Sequence, residues 1–136
     1  MVAIRKDDYR KAAMERMKDA AILKNQERGH TTVYLMGFVL ECMLAYCYCT
    51  RHTTEYIENV KSYNSDTWQK HERLLSKVKD AGLEAHMSQF GKFLEKWKVH
   101  MRYHPNHFPG PQGLKDANQL YDIALSLVKA INREAI

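Results

Sequence analysis

The stretch TTVYLMGFVLECMLAYCYCTR, residues 31–51, constrains the fold more than any other part of the chain. Its apolar residues run almost all the way round a helical wheel, the pattern of a helix buried on every side. It predicts a helix from Thr31 or Thr32 to Arg51 at the centre of a bundle. The apolar run Val33 to Leu40 stops at Glu41 and is too short to cross a bilayer. Glu41 is the only charge between Val33 and Cys49, and Gly37 and Ala45 lie one turn either side of it. Small residues there let another helix approach the carboxylate closely. A carboxylate so placed needs a partner or its pKa must rise; the alternative is that it reaches the bundle end or ties down a backbone group. Cys42, Cys47 and Cys49 share this apolar helix. With Cys47 and Cys49 on different faces, they read as buried free thiols and not as a disulfide or a metal site.

The flanking segments supply the helices that would cover it. Tyr9, Ala13, Met17, Ala20 and Lys24 recur at helical spacing, predicting a helix from about Asp7 to Glu27, ended at the Gly29 signal. Residues 52–63 are weakly patterned and read as a short helix and a loop. Asp66 with Gln69 resembles a capping box and opens a third helix, which runs to Ala81 and stops at Gly82. The stripe Met87, Phe90, Leu94, Trp97, Met101 predicts a fourth, from Glu84 to Tyr103 or His104, where Pro105 must break it. A final helix runs from about Leu114 through Ala117, Tyr121, Ala124, Val128 and Ile131. No strand-like alternation appears. The expectation is a single all-α domain over residues 1–136, an up-and-down bundle of four long helices plus one shorter one.

Net charge is +5, but the 21 Lys and Arg interleave with 16 Asp and Glu. Solvated helix faces account for most of that, so charge alone is weak support for a nucleic-acid partner. The N-terminus MVAIRKDDYRK has no apolar signal region, so the default expectation is a cytoplasmic chain with no membrane role. No phosphate-binding loop, dinucleotide fingerprint, HExxH or CxxC pair occurs, and no cofactor is expected. His100, His104 and His107 have no carboxylate beside them in the loop, which argues against a metal.

The chemistry gathers in WKVHMRYHPNHFPGP, residues 97–111, where an amphipathic helix meets a stiff loop. Arg102 and His107 form an R-x4-H arrangement across the break. Arginine can hold a phosphate in a forked contact, and histidine can move a proton to or from a ribose hydroxyl. His104 and Asn106 are placed to orient a phosphate, while Tyr103 and Phe108 offer apolar surface. The structural alternative pairs Arg102 with Glu41 and uses His107 to cap the loop.

VYLMGFVLECMLAY resembles the second-helix signature of the HEPN family, HERLLSKVKDAGL its next element, and WKVHMRYHP its tryptophan, arginine-tyrosine and proline segment. The resemblance covers nearly the whole chain in the right order. It implies a bundle that usually dimerises and, for many members, an RNA-linked role in toxin–antitoxin or antiphage systems. Active members are metal-independent ribonucleases whose R-x4-6-H motif maps onto Arg102 and His107. Others bind nucleotides or pair with a small nucleotidyltransferase. Two positions depart from the family pattern. Tyr103 directly follows the arginine, where active members more often have a small polar or basic residue. Pro109 stands two residues after the histidine, where toxins paired with a nucleotidyltransferase often have tyrosine. Two expectations follow: a dimeric module binding RNA, a nucleotide or a nucleotidyltransferase, or a metal-independent endoribonuclease.

Overall fold

The structure is a computed structural model that describes residues 4–61, 63, 74–97, 101 and 106–134. The described residues are helical with no strand: α1 (Lys6–Asn25), α2 (Gly29–Arg51), a 3-10 turn (Ile57–Asn59), α3 (Leu75–Asp80), a 3-10 turn (Glu84–His86), α4 (Met87–Lys96) and α5 (Gly110–Glu134). Three of these exceed five turns, whereas α4 has only ten residues, so the fourth long helix expected from the sequence is not among them.

As its pattern requires, α2 is the centre. It packs against α1, α5 and α3, while α4 bridges α3 and α5. Val33, Met36, Val39, Leu40, Met43 and Leu44 are almost completely buried, as are Tyr48 and Cys49. By length and composition α2 would pass for a membrane span, but 72% of that window is covered by the rest of the chain. The three cysteines are free thiols; burial raises Cys42 and Cys49 to about 11.

The turn between α1 and α2 departs from the expectation. Helix α1 ends at Asn25, and Glu27 takes the left-handed conformation at φ 58°. The Arg28 N–H donates to Leu23 O and the Glu27 N–H to Lys24 O, which closes the end of the helix. Gly29 is no stop signal. It opens α2, and a Cβ there would lie 2.8 Å from Ala117 Cβ, so glycine lets α2 and α5 touch. The same left-handed closure ends α2 at Thr53 (φ 56°) and α3 at Gly82 (φ 81°), the latter as the sequence indicates.

Helix α4 also stops earlier than its stripe suggests. Trp97 is extended (φ −87°, ψ 118°), yet its side chain and that of Met101 are fully buried. The Trp97 indole lies across Gly37, where an added Cβ would overlap it, and donates to Tyr34 O at 3.2 Å. Phe38 meets it edge-on at 5.8 Å. What Gly37 admits beside α2 is therefore an indole from an extended residue. Helix α5 begins at Gly110 and not Leu114, because Pro111 fits a first turn that needs no N–H donor there.

Candidate functional site

His107 sits in the short segment that leads into α5. Its backbone is held by a residue far away in sequence. The His107 N–H donates to His30 Nδ1 at 2.9 Å, and His30 Nε2 lies 2.7 Å from Met101 O. One nitrogen accepts and the other faces a carbonyl oxygen, so the ring carries its hydrogen on Nε2. The two imidazoles are tilted neighbours, with ring centroids 5.3 Å apart. Two further contacts shape the segment. Asn106 Oδ1 accepts from the Phe108 N–H at 2.8 Å, and Gly113 lets the Phe108 backbone lie against the first turn of α5.

Two cavities flank this segment, and Phe108 lines both. The first, about 570 Å³, lies at the start of α2 and is bordered by Glu27, Arg28, His30, Thr31, Asn106 and Pro111. The first turns of α2 and α5 both border it. The second, about 670 Å³, runs along α5 between Lys96, His107, Gln112, Asp116, Gln119 and Ile123. Each cavity is bordered by both signs of charge, Glu27 beside Arg28 in the first and Asp116 with Lys96 in the second.

Of the residues singled out from sequence, His107, Asn106 and Phe108 come together. His107 and Phe108 are half-buried and Asn106 is exposed. Asn106 spends its carbonyl on the loop backbone, and Phe108 packs against the core, which reduces the apolar surface it can offer. Arg102, Tyr103, His104, Pro105 and His100 lie outside the described residues, as do Asp66 and Gln69 of the expected capping box. Glu41 is about three turns of α2 beyond His30. It borders an apolar crevice made by Leu40, Leu44, Leu74, Phe90 and Leu94. Burial pushes its carboxyl up to about 7.

Sequence reasoning missed His30, Arg28 and Lys96. His30 carries no local signal: its partners lie 71 and 77 residues away. Among the described residues no group of His, Cys, Asp and Glu is arranged to hold a metal ion. Comparison with protein-family models, curated proteins and solved structures finds no match.

Proposed function

We propose that this chain is a HEPN-like helical module that dimerises and binds RNA through the segment around His107. The observation that supports it most is the placement of His107 and Phe108 between two cavities, one bordered by Arg28 and the other by Lys96. Cations position a phosphate backbone, and an aromatic edge with nearby amides suits an unpaired base. The resemblance of the helix-two and loop motifs supplies the rest of the reading. It brings the up-and-down four-helix arrangement, the homodimer, a toxin–antitoxin or defence setting, and a nucleotide or a nucleotidyltransferase as further partners. A C2 dimer about the loop would set two copies of Arg102 and His107 on one cleft.

The half-buried imidazole of His107 favours a second reading, metal-independent RNA cleavage. RNA carries its own nucleophile, the ribose 2′-hydroxyl. The protein then has to orient it, move protons and stabilise charge on the phosphate. In that reading His107 carries the proton and Arg102 neutralises the phosphate.

Binding and cleavage are separable in one experiment. Labelled RNA and DNA of the same sequence are titrated with protein in EDTA, beside His107→Ala and Arg102→Ala, and the products are run on a gel. RNA binding weakened by both substitutions, with RNA left intact, supports the binding module. Cleavage of RNA alone, slowed about 10²–10⁴-fold in His107→Ala, supports the enzyme. RNA held no better than DNA, or held equally by all three proteins, removes the loop as the site.

A further inference from the structure

We propose that His30 is the positioning residue of this site, a clamp that holds the Met101 carbonyl and the His107 N–H and so fixes where the His107 imidazole lies. The proposal rests on the RNA-binding reading for its consequence, and on geometry for its existence.

Met101 offers a backbone carbonyl and His107 a backbone N–H beside the first turn of α2. A single side chain reaches both of those backbone groups. His30 Nε2 is 2.7 Å from the Met101 carbonyl oxygen, and Nδ1 accepts the His107 N–H at 2.9 Å. A five-membered ring with nitrogens on opposite sides bridges the two backbone groups, accepting at one and donating at the other. The clamp itself is fixed from behind. His30 lies in the first turn of α2, directly after Gly29, whose missing side chain lets that turn press on Ala117 of α5. The Phe108 backbone abuts Gly113 in the same helix. Thus Met101, His107 and the starts of α2 and α5 come together around His30, and the imidazole of His107 is presented next to it. A site that must hold its groups within about 0.5 Å depends on such supports.

The tautomer is part of the inference. A ring with hydrogen on Nδ1 would set two donors against each other at the His107 N–H. The clamp works only with Nδ1 bare.

Two measurements test this. Long-range proton–nitrogen correlation spectra of the ¹⁵N-labelled full chain read which ring nitrogen of His30 carries hydrogen. They should show hydrogen on Nε2 and a bare, hydrogen-bonded Nδ1. Hydrogen on Nδ1 overturns the proposal whether or not the protein binds RNA. Next, His30→Phe keeps a ring beside His107 but removes both bonds, and Val39→Ala serves as a control that loosens the buried face of α2. His30→Phe should move the His107 amide resonance and weaken RNA binding about ten-fold, whereas Val39→Ala should do neither. An unchanged His107 amide, or an equal loss of affinity in the control, overturns the positioning role. If wild-type protein binds no RNA, the functional reading fails while the spectra still decide the clamp. If His30→Phe does not fold, the wild-type spectra carry the decision.

Discussion

Glu41 shows how one residue can turn burial into pH dependence. Its carboxyl borders apolar side chains on α2, and burial raises it from 4.5 to about 7. The folded chain therefore holds a proton over a range in which the unfolded chain has released it. Stability from this group is full below the unfolded value and is lost as pH rises toward the folded one. Between about pH 5 and 7 the loss amounts to on the order of 2–3 kcal/mol, since each tenfold change in proton affinity is worth about 1.4 kcal/mol. Glu41→Gln keeps the shape and removes the titration. Urea unfolding at pH 5 and pH 8 should show a smaller drop in the variant than in wild type. An equal drop in both would locate the pH dependence elsewhere. The sequence made Glu41 conspicuous as one charge in an apolar helix. It did not show that the neighbouring glycine faces an indole, because periodicity names the buried positions and not their occupants.

At the scale of elements, the helix ends separate what could be read from what could not. The closures of α1, α2 and α3 have the same left-handed form, but only the third uses glycine, at Gly82. A stop signal read from glycine finds that one. It misassigns Gly29, which serves close packing, and passes over Glu27. Glu27 is exposed and its φ of 58° is strained for a residue with a Cβ, so Glu27→Gly should raise stability by about 0.5–1 kcal/mol. A lower melting temperature in that variant would mean that the carboxylate contributes more than the strain costs. The buried stripe Phe90, Leu94, Trp97 and Met101 was legible from spacing, and all four are buried. That the backbone leaves the helix at Trp97 was not, because the cause is a slot on α2, sixty residues earlier in the chain. Gly37→Ala tests that slot. Its Cβ would overlap the indole, and the expected cost is about 1–3 kcal/mol, or more if Trp97 is expelled. Chemical denaturation and the fluorescence of the two tryptophans report both effects. Wild-type stability would mean that the indole can move aside freely.

For the whole molecule, the question is whether its net charge of +5 or one local surface attracts RNA. Charges on α1 alternate in sign and pair with each other, as in Lys18 with Glu15 and Arg16 with Asp19. Exposed pairs of that kind contribute little and present no coherent field. Arg28 and Lys96 border the two cavities around the His107–Phe108 turn, each with a carboxylate, Glu27 or Asp116, on the same rim. Salt dependence tells the two cases apart, because each phosphate neutralised on a single strand changes the slope of log K against log salt by about 0.7. Binding at the local surface predicts that Arg28→Ala and Lys96→Ala each reduce the slope by about that amount, or by twice as much if a dimer engages one RNA with both copies. Lys11→Ala and Lys18→Ala, on the outer face of α1, should leave it unchanged. Light scattering on the same samples supplies the stoichiometry needed to choose between one and two copies. If all four substitutions lower the slope equally, the RNA is held by diffuse charge, and the segment around His107 is not where it binds.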